Sequence, residues 1–170
     1  MQSIFCHGLE SGPHGRKFQA LRSAGIPVES PDFQGMVLAQ RVEKLVPILC
    51  QSTERVLLIG SSYGGITAVA ASMQVAKLGA DKGANIGGLL LLAPALERDE
   101  PPASDSGELE AVAPTVIIHG RHDEIIPLEV SQRFARRVGA VLIEVEDDHR
   151  LAHSSDRIVW ETQRFLAKAR

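Results

Sequence analysis

The sequence predicts an α/β protein: a mostly parallel, six-stranded sheet with helices on both faces. Three observations lead there. Short runs of Val, Leu and Ile, among them Val56 to Ile59 and Leu89 to Leu92, have the unbroken apolar character of strands buried on both sides. These runs alternate with stretches whose apolar residues recur at helical spacing, the pattern of parallel strands joined by crossover helices. Between one such strand and one such helix stands Gly60-Ser61-Ser62-Tyr63-Gly64-Gly65, where glycines permit a sharp turn. With 170 residues the chain is expected to form one domain, residues 1–170, large enough for a real core.

The elements follow in order. Ser3 to Cys6 reads as the first strand, ending in His7-Gly8. A loop to Pro13 leads into a helix from about His14 to Ser23, with Phe18 and Leu21 facing inward and Gly25 and Pro27 as stops. Val28 to Phe33 reads as a second strand, and Pro31 places it at or near a sheet edge. From Val37 to Cys50, Leu38, Val42, Leu45, Val46 and Leu49 keep helical spacing, and Pro47 is expected to kink that helix or split it. After the Val56 to Ile59 strand, Ile66, Val69, Ala70, Met73 and Ala76 give the next helix an inner face, with Gly79 ending it. Gly87 to Ala93 is a strand, and the acidic, proline-containing stretch from Glu97 to Glu110 reads as a surface loop. Thr115 to His119 is a strand, Pro127 to Val138 a helix with proline in its first turn, and Val141 to Val145 the last strand. Ser154 to Lys168 closes the chain as an amphipathic helix capped by Ser154 or Ser155.

Composition narrows the classes of function. The content of charged residues, 23%, and the net charge of −3 give no reason to propose nucleic acid or an anionic membrane as partner. Cys6 and Cys50 have no metal or redox spacing, so a reduced cytoplasmic setting is expected. The amino terminus enters a strand without a charged-then-apolar leader, and no stretch approaches membrane-span length.

The chemistry gathers at strand ends. In a parallel sheet, function sits at the carboxyl ends of the strands, and His7-Gly8, Ser62, Asp123 and His149 each follow one. Gly60-x-Ser62-x-Gly64 is a G-x-S-x-G pattern with strand before and helix after, the context of a nucleophile elbow. The same turn fails as a dinucleotide fingerprint, because Ser62 stands where a second glycine is needed, and as a phosphate loop, because Gly64-Gly65-Ile66 lacks G-K-[ST]. A serine hydroxyl needs a base, and the base needs an orienting group. Chain order assigns Ser62 as nucleophile, His149 as general acid and base, and Asp123 as the orienting carboxylate. Glu124 is the main rival of Asp123, while Asp147 and Asp148 lie too close in sequence to reach the His149 ring well. The backbone N–H groups of Leu9 and Tyr63 are the expected oxyanion donors. A metal centre from His119, His122, Asp123, His149 and His153 is the other chemical reading, weakened by the lack of an H-E-x-x-H pattern. No cofactor or metal is expected, and no substrate-binding residue can be named from the sequence.

These segments together resemble the α/β-hydrolase superfamily: His7-Gly8, Gly60 to Gly65, His119-Gly120-Arg121-His122-Asp123-Glu124-Ile125-Ile126-Pro127, and Asp148-His149-Arg150. The resemblance spans essentially the whole chain and is closest to small, lidless bacterial esterase-like hydrolases. It implies a minimal form of that fold, lacking the first two of its usual eight strands and any cap domain. It also places Asp123 at the acid position. The activity implied is hydrolysis of carboxylic esters with short acyl groups through an acyl-enzyme. A thioesterase, a small peptidase or a non-catalytic ligand-binding protein of the same fold are the alternatives. The substrate is expected to be a small-molecule ester, and the oligomeric state stays open.

Overall fold

The computed structural model describes residues 1–79, 86–97 and 108–168. Six strands form one sheet: β1 (Gln2–Cys6), β2 (Val28–Glu29), β3 (Val56–Ser61), β4 (Ile86–Leu92), β5 (Thr115–Gly120) and β6 (Val141–Val145). Five helices connect them: α1 (Arg16–Ser23), α2 (Leu38–Gln51), α3 (Tyr63–Leu78), α4 (Leu128–Val138) and α5 (Ser155–Ala167). The strand order is β2-β1-β3-β4-β5-β6, and every neighbouring pair is parallel. All carboxyl ends of the strands therefore open onto one edge.

The helices divide between the two faces. Leu38, Val42, Leu45 and Leu49 of α2, Ile66 and Val69 of α3, and Val130 and Phe134 of α4 pack with Ile4, Leu58, Leu89 and Ile117 of the sheet. Phe18 and Leu21 of α1 and Ile158 and Phe165 of α5 pack with Phe5, Ile59, Leu90 and Ile118. The period-two alternation of strand side chains produces this division: Leu58 goes to one face, Leu57 and Ile59 to the other. The central strands β3 and β4 are buried on both, which is why their sequences read as unbroken apolar runs.

Several expected boundaries move. The strand expected over residues 28–33 pairs only at Val28 and Glu29, because the chain leaves the sheet before Pro31; β2 is an edge strand. Helix α1 starts at Arg16, after an extended Gly15. Pro47 does not split α2, which runs unbroken from Leu38 to Gln51. Pro47 and Glu43, whose carbonyl loses its helical partner, both face solvent, and the buried stripe of Leu45, Val46 and Leu49 holds the turns on either side. Helix α3 is buried almost all round rather than along one face, and Ala76 is exposed. Ser154 occupies the amino-terminal position of α5 but does not cap it, since its hydroxyl donates to Asp147 instead. The loop expected over residues 97–110 lies mostly outside the described residues, and only its two ends enter here. Among the described residues no helix is long and apolar enough to cross a membrane.

Candidate active site

Ser62 sits between β3 and α3 with φ 54° and ψ −118°, a region that L side chains rarely adopt. The backbone around it is held from three sides. Its N–H donates to Leu92 O at 2.9 Å, and its carbonyl accepts from Gly65 N at 2.8 Å and Ala95 N at 3.0 Å. The flanking glycines are sterically required. A Cβ on Gly60 would strike the Gly64 backbone, and a Cβ on Gly64 would fall on the carbonyl of Cys6. The turn is therefore wedged between β1 and the start of α3, with the Ser62 side chain raised at the carboxyl edge.

Asp123 follows β5. Its Oδ1 accepts from the backbone N–H groups of Ile125 at 2.9 Å and Ile126 at 2.8 Å, and its side chain is fully buried. His149 lies in the connection between β6 and α5. Its Nδ1 is 2.7 Å from Asp123 Oδ2, and its Nε2 is 3.0 Å from Ser62 Oγ. A carboxylate can only accept, so the Nδ1 hydrogen points to Asp123 and leaves Nε2 as acceptor for the serine hydroxyl. Residues separated by 87 and 26 positions thus form one hydrogen-bonded chain. Such a chain can pass the serine proton to the imidazole.

The rivals fall elsewhere. Glu124 is exposed. Asp147 is buried and accepts from Ser154 Oγ at 2.8 Å, His153 N at 2.9 Å and Asp148 N at 2.9 Å. It binds together the loop that carries His149, and its burial is outweighed by these donors, so its carboxyl stays below the usual range. Asp148 Oδ1 accepts the Arg150 N–H. His122 pairs with Glu146 at the surface, His153 is almost fully exposed, and His119 is buried against Ser131. Among the described residues no three His, Cys, Asp or Glu side chains come together to hold a metal ion. Burial pushes the Cys6 thiol up to about 12, so it supplies no thiolate.

The loop after β1 closes the site. A Cβ on Gly8 would lie 3.6 Å from Ser62 Cβ, which brings the Gly8–Leu9 peptide alongside the serine. Tyr63 opens α3, where the helix dipole favours negative charge. Beside these expected residues stand Arg41, absent from the sequence-based expectations, and His119, expected there only as a candidate metal ligand. Arg41 is fully buried under this loop. His119 is in contact with Asp123, with Nε2 3.1 Å from Oδ2. A signal for Arg41 was present: it falls at helical spacing within the inward stripe of Leu38, Val42 and Leu45, a charge on an apolar face.

A parallel sheet with its strained serine at a central strand–helix turn, and with Asp and His after its last two strands, defines an α/β-hydrolase. More narrowly, the chain belongs to the serine hydrolase family, whose model matches residues 15–168. It is similar to the crystal structure of a hydrolase of the alpha/beta superfamily from Xanthomonas campestris pv. campestris, with 27% identity, 98% of each chain covered and a TM-score of 0.81. A hydrolase from Agrobacterium vitis S4 shares 20% identity over 96% of this chain and 87% of that one, with a TM-score of 0.78. Est1E from Butyrivibrio proteoclasticus shares 18% identity over 99% and 87%, with a TM-score of 0.73. At those lower identities the likeness is one of fold. No curated protein matches the chain.

Proposed function

We propose that the protein hydrolyses carboxylic esters of small or short-chain acyl groups through an acyl-enzyme on Ser62. The observation that carries this reading is the unbroken chain from Ser62 Oγ through His149 to Asp123. Ser62 Oγ attacks the ester carbonyl carbon as its proton moves to His149 Nε2. The carbonyl oxygen becomes an anion held by the N–H groups of Leu9 and Tyr63. The imidazolium is stabilised by Asp123, then gives its proton to the departing alcohol oxygen. Water repeats the sequence on the acyl-enzyme, releasing the acid and restoring the serine.

A cleft of about 300 Å³ supports a short acyl group. Ala95, Ile125, Ile126 and Val130 line it, with Glu97 and Arg133 also in its wall. It adjoins the reacting residues, because the N–H of Ala95 holds the Ser62 carbonyl and those of Ile125 and Ile126 hold Asp123. Its size is at the lower end of ligand pockets. Each methylene covered there contributes about 0.8 kcal/mol, so acyl chains short enough to be enclosed by this cleft are favoured.

The test is kcat/KM across p-nitrophenyl esters from acetate to palmitate, beside acyl thioesters and peptide amides. A maximum between acetate and hexanoate is expected, with stoichiometric fluorophosphonate labelling of Ser62. Faster turnover of thioesters or amides would replace the ester reading. A steady rise toward palmitate would refute the short-chain reading, and unlabelled, inactive protein would favour a ligand-binding role.

A further inference from the structure

Arg41 projects from the buried face of α2 with none of its side chain accessible to solvent. Its guanidinium is spread over backbone carbonyls. Nε donates to Met36 O at 3.0 Å, Nη1 to His7 O at 2.8 Å and Nη2 to Gly8 O at 3.4 Å. Its Cζ also lies 4.7 Å from the centre of the Tyr63 ring. One cation therefore touches both the loop that carries Leu9 and the residue that opens α3.

His7 completes the arrangement. The Phe33 N–H donates to its Nε2 at 2.8 Å, so the ring hydrogen is on Nδ1, which donates to Gly8 O at 2.8 Å. The Gly8 carbonyl thus receives two donors, one from His7 and one from Arg41. That carbonyl belongs to the same peptide unit as the Leu9 N–H. The unit is planar and trans, so a pinned oxygen forces the N–H to point the opposite way. Donors on the oxygen also polarise the amide and strengthen its N–H. The Leu9 N–H has no acceptor among the described residues, and Gly8 lies against Ser62.

We propose that Arg41 and His7 form a buried clamp on the Gly8–Leu9 peptide, making Arg41 a positioning residue that aims the Leu9 N–H at the anionic oxygen of the reaction. This rests on the reading of Ser62 as nucleophile. Arg41 never touches substrate. It acts through the peptide it holds and the ring it packs against. A lysine cannot take its place, since a single ammonium on a flexible stem does not reproduce the planar fork.

The experiment compares wild type with Arg41→Met and Arg41→Lys. The readouts are thermal unfolding, kcat and KM on p-nitrophenyl acetate, and affinity for an alkyl boronic acid that forms a tetrahedral adduct with serine. Loss of an oxyanion donor costs about 10² to 10³ in kcat, so a misaimed one should cost roughly 10- to 100-fold. In folded variants kcat and boronate affinity should fall together while KM changes less than about threefold. A folded variant with kcat within twofold of wild type overturns the clamp. If neither variant folds, the Leu9 amide of ¹⁵N-labelled wild type decides. Its proton should move downfield when a phosphonate on Ser62 places an oxygen in the hole, and an unmoved signal overturns the proposal. Wild type that neither turns over the ester nor takes the phosphonate refutes the nucleophile reading instead.

Discussion

His119 Nε2 lies 3.1 Å from Asp123 Oδ2, the same carboxylate oxygen that His149 Nδ1 approaches at 2.7 Å. The Ile126 carbonyl is 3.0 Å from that Nε2, and the Ser131 hydroxyl is 2.7 Å from Nδ1. Two acceptors face Nε2, so it carries the hydrogen and Ser131 donates to Nδ1. The buried imidazole thus braces the same Asp123 oxygen that holds His149. His119→Phe should leave Ser131 and Ile126 unsatisfied and destabilise the protein by about 2–4 kcal/mol. It should also lower kcat roughly tenfold, with KM little changed. Urea unfolding and steady-state kinetics check this. Unchanged turnover would mean that the Ile125 and Ile126 amides suffice to hold the carboxylate.

Asp123→Asn should keep the fold and reduce turnover by roughly 10³ to 10⁴, because an amide cannot hold the His149 tautomer or stabilise its charged form. Glu124→Gln, at an exposed position, should stay within about twofold of wild type. The comparison is one kinetic assay on two purified variants. The reverse order of damage would assign the acid to Glu124.

Ser62 should show a conflict between stability and activity. Its φ of 54° belongs to a region costing about 1–3 kcal/mol for a residue with a side chain. Ser62→Gly relieves that strain and should raise the melting temperature, while Ser62→Ala keeps the strain and serves as control. Both should lose turnover by about 10⁴-fold or more. Calorimetry that ranks the alanine variant above the glycine variant would show that the turn is not strained.

Acid should weaken the fold in two stages. Burial pushes the His7 imidazole below its ordinary 6.5, while the Gly8 carbonyl it donates to works the other way and Arg41 adds to the lowering. As pH falls below 6.5 the unfolded chain gains a proton that folded His7 refuses, so stability declines. Asp147 has a lowered carboxyl, so its contribution is present above its ordinary value of 3.8 and is lost as pH falls through the folded value. Unfolding free energies at pH 7.5, 5.5 and 3 should trace both losses. His7→Gln should flatten the upper stage alone, and Asp147→Asn should cost stability at pH 7.5 that shrinks in acid. An unaltered upper stage in His7→Gln would place that titration elsewhere.

What the sequence determined by itself was the part of the protein encoded by short-range pattern. Apolar runs of four to seven residues and helical stripes are local consequences of burial, so strand–helix alternation and the Ser62 turn were legible. The two later strand ends, with Asp123 and His149, were legible for the same reason, since parallel topology sends all strand ends to one edge. Tertiary structure decided whatever depends on which residues meet across the sheet. Strand order is one case. Asp147 is another: its proximity to His149 in sequence said nothing about its carboxylate turning to Ser154 and the His153 N–H. Pro47 offered two outcomes, and only the burial of α2 on both sides of it selected the unbroken helix. Arg41 and His119 gain their contacts from residues 34 and 12 positions away, through chain paths set by packing. A buried polar group takes its role from the partners that satisfy it, and those partners exist only once the chain has folded.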